Sequence, residues 1–212
     1  MVVRKAGGLV AGVRFPALRF FYSANMLIFF LFIISIIGLT VILLSISYFF
    51  SFYRLLRGDA PFVPVPSAVL PEIAKALEIR ENSVVYDLGC GDGKVLIACS
   101  RAQPKAKYVG YEISLAIFLL AWIRILKMKK SCSMKIFRKN FFGENLSKAT
   151  HIFTYLMPKQ MRQLEEKFER ELSPGTRLVT CTFPLKKKEP AGIIDLGRSE
   201  LFLARKLYVY DF

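Results

Sequence analysis

The feature that most constrains this chain is an uncharged stretch, with no Asp, Glu, Lys or Arg between Arg19 and Arg54. Inside it, Met26 to Phe50 reads MLIFFLFIISIIGLTVILLSISYFF. A helix over that run would be about 37 Å long, enough to cross a hydrocarbon core of about 30 Å with some tilt. Phe20, Phe21 and Tyr22 precede the run, and Tyr48, Phe49, Phe52 and Tyr53 close it. Aromatic residues belong at those depths, where an apolar body meets lipid and a polar tip meets water. A core helix of this length would need a polar face, and a signal peptide has a shorter apolar region and a small-residue cleavage site. Residues 20–53 are therefore predicted to be one retained transmembrane helix, single-pass.

The rest of the chain is basic. Of 31 Lys and Arg and 16 Asp and Glu, the first 50 residues hold Arg4, Lys5, Arg14 and Arg19 and no acid. Residues 51–212 thus carry 27 basic against 16 acidic side chains, a net +11. Beside a membrane, such charge is expected to meet anionic head groups, making the lipid bilayer a partner. Nucleic acid is the other reading of a basic domain, and the anchor makes it the less expected one. Cys90, Cys99, Cys132 and Cys181 form no C-x-x-C pair, and there is a single histidine. No metal site is expected; buried free thiols in a reducing compartment are.

Four segments follow from composition and periodicity: a basic N-terminal segment (1–19), the membrane helix (20–53), a Pro-rich linker (54–66) and a catalytic domain (67–212). Prolines 61, 64 and 66 favour an extended spacer. From Ser67 onward, strands are expected at 83–88, 107–113, 134–138, 150–156 and 177–183. Helices are expected at 67–77, 93–101 and 114–129 (capped by Ser114, ending in a basic cluster), and from Pro158 to Leu172. A final hairpin-like pair, 192–196 and 201–210, turns at Gly197-Arg198-Ser199-Glu200. Strands alternating with helices imply an α/β fold, a mainly parallel sheet covered on both faces.

The strongest local signal is Asp87-Leu88-Gly89-Cys90-Gly91-Asp92-Gly93, which leaves a strand and opens a helix. Glycines let the backbone turn tightly and approach a ligand. A dinucleotide site would read G-x-G-x-x-G and avoid nearby anions, because a pyrophosphate wants free amides. Here the spacing is G-x-G-x-G, and Asp87 and Asp92 make the turn acidic. That suits a cationic nucleoside ligand such as S-adenosylmethionine, with its sulfonium and amino group. Glu112, 19 residues after Gly93 at the next strand end, can accept from both ribose hydroxyls. An ordinary glycine-rich βα turn is the plainer alternative.

Over residues 67–212 the chain resembles the class I methyltransferases. The resemblance implies a Rossmann-like seven-stranded sheet whose last strand runs antiparallel, and S-adenosyl-L-methionine as cofactor. It places Asp87, Gly89 and Gly91 around the methionine part and Glu112 at the ribose, with Cys90 and Gly93 of the same turn also cofactor-binding. Asn140, in Arg138-Lys139-Asn140-Phe141-Phe142, falls where that family has an Asp or Asn near adenine; a plain turn residue is the alternative. Together the anchor, Pro61-Phe62-Val63-Pro64, Tyr86-Asp87-Leu88-Gly89-Cys90-Gly91-Asp92-Gly93 and Thr176 to Pro184 resemble the membrane-anchored mitochondrial protein-lysine methyltransferases. Members of that group modify the ATP synthase c-subunit and the adenine nucleotide translocase. Thr154-Tyr155-Leu156-Met157-Pro158 departs from that family's glycine-containing version, which puts the substrate in question.

Thr154 and Tyr155 fall at the C-terminal edge of the sheet, where open α/β folds bind ligands. They are the candidate catalytic residues, expected to orient an incoming amine, although Tyr155 could equally pack beneath the helix. His151 starts its strand at the opposite edge and is expected to be structural. Lys186-Lys187-Lys188 reads as a solvated loop, with lipid contact as the alternative. The expected function is methyl transfer to a lysine of a membrane protein. A lipid or quinone acceptor, and a non-catalytic membrane scaffold on a degenerate fold, are the alternatives. A base-methylating enzyme is disfavoured because Thr154–Pro158 lacks an Asn/Asp-Pro-Pro-aromatic motif. The domain should face the cytoplasm or the mitochondrial matrix, where the cofactor is found, even though four basic residues precede the span and only Arg54 and Arg57 immediately follow it.

Overall fold

A computed structural model describes residues 16–56, 62–128, 132–197 and 204–212, with side chains of the first segment described for 25–49. Most of the expected basic N-terminal segment, part of the linker, and the Arg198–Glu200 portion of the expected turn lie outside the described residues. Two compact units result, Met1–Asp59 and Ala60–Phe212.

Among its described residues the first unit is one helix, α1 (Pro16–Leu56), with a proline at its first position. Its stretch Asn25–Phe49 is long and apolar enough to cross a membrane, with a mean hydropathy of 3.1. The hydroxyls of Ser35 and Thr40 donate to the carbonyls of Leu31 and Ile36, one turn back. Neither hydroxyl is therefore left unpaired in an apolar medium.

In the second unit, a 3-10 turn (Ser67–Val69) runs into α2 (Leu70–Leu77), with Pro71 tolerated in its first turn. Then come β1 (Val84–Leu88), α3 (Lys94–Ala102), β2 (Lys107–Tyr111), α4 (Leu115–Leu126), β3 (Ser133–Phe137) and β4 (His151–Thr154). The chain closes with α5 (Pro158–Glu171), β5 (Arg177–Cys181), β6 (Gly192–Asp195) and β7 (Lys206–Asp211). The strands form one seven-stranded sheet in the order β3-β2-β1-β4-β5-β7-β6. The first five strands in that order pair parallel, and β7 pairs antiparallel with both β5 and β6. The mainly parallel Rossmann-like sheet is as expected, antiparallel last strand included. Strand order reverses at β1, which lies between β2 and β4; at such a reversal the loops leaving neighbouring strands part and open a crevice.

Two buried clusters hold the sheet. One joins α2 and α3 to β1, β2 and β5 through Ile73, Leu77, Val85, Leu96 and Val179. The other joins α5 to the same sheet through Leu88, Ile152, Leu164, Phe168 and Leu178. Each fully buried side chain of this size contributes about 1.5–3 kcal/mol. At the N-terminal edge of β5, Arg177 ties three elements together. Its Nε donates to the Ala76 carbonyl at 2.8 Å, and its Nη atoms reach Glu78 at 2.7 Å and Asp211 at 3.3 Å. His151 lies beside it in register, and burial first, then Arg177, lowers the imidazole pKa. The histidine thus sits away from the crevice.

Ser114 occupies the N-cap of α4, but its side chain makes no capping hydrogen bond, contrary to expectation. Its amide donates to Glu112 Oε1 at 2.7 Å.

Gly110, within β2, lies under the β1–α3 turn. A Cβ there would stand 2.7 Å from Leu96 Cδ1 and 2.8 Å from Cys90 Sγ. Gly110→Ala is expected to lose about 1–3 kcal/mol through overpacking, measured by denaturant unfolding of the detergent-solubilised chain. Gly192→Ala, with nothing within 4 Å of its Cβ position, should change stability by no more than about 0.5 kcal/mol.

Candidate active site

The crevice is assembled from the ends of five neighbouring strands. Beyond β1 the chain turns through Gly89, Gly91 and Gly93, with φ of 81°, 54° and 77°. These angles suit glycine and strain other residues. The turn is pinned to the end of β2, where the Tyr111 carbonyl accepts from Gly89 N at 3.0 Å and Cys90 N at 2.9 Å. Gly93 N donates back to the Cys90 carbonyl at 2.9 Å, and the Gly93 carbonyl accepts from Ile97 N as α3 begins. A Cβ on Gly89 would come within 3.0 Å of Leu156 Cδ2, and one on Gly91 within 2.6 Å of the Phe62 ring.

Asp87 lies within β1, 2% exposed, and its Oδ2 has no hydrogen-bond partner. Burial, then Glu112, then Asp92, hold its carboxyl well above the usual carboxylate range. A buried polar oxygen without a partner is costly, and a cation or donor brought by a ligand relieves it. Glu112, just past β2, accepts from Gly91 N through Oε2 at 3.1 Å. Its carboxylate thus bridges the glycine turn and the start of α4.

Asp92 has a different role from the one expected. Its carboxylate pairs with Arg124 Nη1 at 2.5 Å and Lys94 Nζ at 3.2 Å, and Arg124 also donates to the Asp92 carbonyl at 2.9 Å. Its charge is compensated within the protein, so the acidity available to a ligand comes from Asp87 and Glu112. The Cys90 thiol faces Gly110 in the core, and burial, then Asp87 and Glu112, push its pKa far up. Cys90 therefore builds the turn through its backbone and offers no thiolate. Asn140 is exposed just after β3, and its Oδ1 accepts from Phe142 N at 3.1 Å. This is the turn role, at a strand end that opens on the same edge of the sheet.

Of the two expected catalytic residues, Thr154 closes β4. It is fully buried, and its hydroxyl donates to the Leu88 carbonyl at 3.4 Å. It fastens the end of β4 to the end of β1. Tyr155 is half-buried, and burial, then Cys181, raise its phenol pKa against a hydrogen bond with Thr182.

Two residues escaped sequence reasoning. Thr182, just past β5, has φ 72°, an outlier for a β-branched residue and a reason to look for function. Its amide donates to the Lys206 carbonyl at 2.8 Å. Phe62 covers Gly91, and the only hint was an aromatic between prolines. In the lysine run, Lys188 Nζ sits 4.4 Å from the centre of the Phe212 ring, so that loop is partly tied down.

An unpartnered buried carboxylate, a left-handed glycine turn and a second carboxylate at the neighbouring strand end fit a cationic nucleoside. Comparisons with known proteins agree. The ANTKMT methyltransferase domain matches residues 87–192. A protein-lysine N-methyltransferase of Saccharolobus islandicus (strain REY15A) is 32% identical over 149 residues, 70% of this chain and 92% of the relative. The ATP synthase c-subunit lysine N-methyltransferase of Homo sapiens is 30% identical over 137 residues, 65% of this chain but only 58% of that protein. Among solved structures, an RNA methyltransferase from Salinibacter ruber, in complex with S-adenosyl-L-homocysteine, superposes with a TM-score of 0.64. It is 27% identical, covering 70% of this chain and 93% of that one. The chain belongs to the family of the ANTKMT methyltransferase domain and is an S-adenosylmethionine-dependent methyltransferase.

Proposed function

We propose that this enzyme is held in a membrane by α1 and transfers methyl groups to a lysine side chain of a membrane protein. The observation that carries the reading is the unpartnered buried oxygen of Asp87 at the foot of a crevice whose relatives are lysine methyltransferases. The uncharged Asn25–Phe49 helix supports the anchoring, and the relative that methylates the ATP synthase c-subunit supports a membrane-embedded acceptor. The domain would face the cytoplasm or mitochondrial matrix.

When bound, S-adenosylmethionine supplies an activated methyl group on a good leaving group. The protein's work is then chiefly positioning. Asp87 would compensate the positive charge, Glu112 would accept from the ribose hydroxyls, and the amides and left-handed turns of Gly89, Gly91 and Gly93 would shape the floor. Asn140 would border the base. The acceptor amine must arrive neutral, which half-buried surroundings favour. The neutral Tyr155 hydroxyl, steered by Thr182, would accept a hydrogen bond from that amine and aim its lone pair. Thr154 holds the β4 end in place.

Purified enzyme, radioactive cofactor and isolated membranes should label a protein band, with methyl-lysine identified by mass spectrometry. Label found only in the organic extract or in RNA would overturn the protein acceptor.

The raised Asp87 pKa carries a sign. Between the ordinary carboxylate value and the raised one, the folded ligand-free protein binds more protons than the unfolded chain. Its stability falls as pH rises through that window, while cofactor affinity falls as pH drops through the raised value. Asp87→Asn should flatten both dependences in that window. It should also weaken S-adenosylmethionine binding roughly tenfold to a hundredfold, the scale of a charged hydrogen bond, by calorimetry.

Tyr155→Phe should leave cofactor binding unchanged and lower kcat about tenfold to a hundredfold, the scale of a lost orientation. Equal turnover by that variant in single-turnover assays would remove Tyr155 from the site.

A further inference from the structure

Helix α4 is apolar on its outer face as well as its inner one, unlike a helix on a water-soluble sheet. Such a helix turns apolar residues inward and polar ones outward. Here Leu115, Leu119, Trp122, Ile123 and Leu126 recur at helical spacing along the outer face, each between 43% and 60% exposed. The one charge of the helix, Arg124 in its last turn, instead reaches toward the protein, pairing with Asp92. Ala121 is fully buried, and its Cβ lies 3.5 Å from the Cβ position of Gly93. The helix is therefore fixed by its inner contacts, and the apolar stripe is what remains for the surroundings.

We infer that α4 is an in-plane docking helix whose outer face enters the head-group boundary of the bilayer that α1 crosses. The inference goes beyond the proposed reaction but rests on the reading of α1 as a membrane span. Three observations select lipid as the occupant. The stripe leads directly into Lys127-Met128-Lys129-Lys130, a basic flank suited to anionic head groups, and Lys127 is exposed. Trp122, with an apolar body and a polar N–H, is the residue type favoured at that depth. The chain from Leu56, the end of α1, to buried Val65 can extend only about 30 Å at roughly 3.3–3.6 Å per residue. The domain is thus tethered close to the surface that α4 would enter.

Trp122 is the only tryptophan in the chain, so tryptophan emission of the full-length protein, excited at the red edge where tyrosine does not absorb, reports on α4 alone. The chain is reconstituted into vesicles of mixed zwitterionic and anionic lipid. Emission is then read with lipids brominated near the top of the acyl chain and, separately, with aqueous iodide. Docking predicts strong bromolipid quenching and protection from iodide. In the double variant Leu119→Glu/Ile123→Glu, bromolipid quenching should fall and iodide quenching rise severalfold, with S-adenosylhomocysteine binding retained as the check on folding. Iodide access in the wild type overturns the inference. So does protection without bromolipid quenching, which would mean that protein covers the face. Alkaline carbonate separates this from the underlying reading: a chain that resists extraction yet fails the quenching test loses only the docking helix. A chain stripped from the vesicles loses the span and the inference together.

Discussion

The active-site crevice depends on one interlock, in which the end of β1 is bonded to the end of β2 and that end in turn to β3. The Tyr111 carbonyl accepts from both Gly89 and Cys90, the Glu112 amide donates to the Phe137 carbonyl, and the Glu112 carboxylate returns to the Gly91 amide. Three left-handed glycines make these bonds geometrically possible. Gly110 leaves room beneath for the Cys90 side chain. Since β1 also borders β4 at the point where strand order reverses, fixing this turn fixes the floor of the crevice for both halves of the sheet.

Electrostatics divide the acidic groups by task. Asp92 is neutralised by Arg124 and Lys94 and serves to join the turn to α4. Glu112 is held by two backbone amides, which keep it poised at the strand end. Asp87 alone combines burial with an unpartnered oxygen, so the ligand-free protein carries a local cost that a cationic ligand removes. A group that destabilises the empty site and is relieved on binding couples cofactor occupancy to stability of the fold.

Much of this was legible in the sequence, for stated reasons. Alternation and periodicity gave most strands and helices to within a few residues, because most elements bury one face; the edge strands β3 and β6 bury no residue fully, and β7 begins only at Lys206, five residues after the expected start. The turn could be read because G-x-G-x-G after a strand forces a special backbone. What could not be read was pairing at long range. Nothing local shows that Asp92 meets Arg124, that the Thr154 hydroxyl bonds to Leu88, or that Phe62 covers Gly91. Thr182 adopts a left-handed backbone without a glycine, where propensity points the other way. The outward face of α4 was missed for a different reason: an apolar helix next to a sheet reads as core, and exposure is set by what packs on it.

The same Arg124 links the two surfaces that matter. It projects from α4, whose outer side is apolar, and holds Asp92 in the glycine turn through both a carboxylate contact and a carbonyl contact. Its side chain is 35% exposed, so the pair forms without full burial of the guanidinium, and it holds the helix's one charge against the turn. Here the pairing fixes the helix's rotation, so the apolar stripe can face only outward. Contact between α4 and the loop from Gly91 to Gly93 is carried by this ion pair and by Ala121 and Ile125 against Gly93. Orientation of the outer helix and geometry of the crevice floor are thereby one constraint, set by Arg124, Ala121 and Ile125 together.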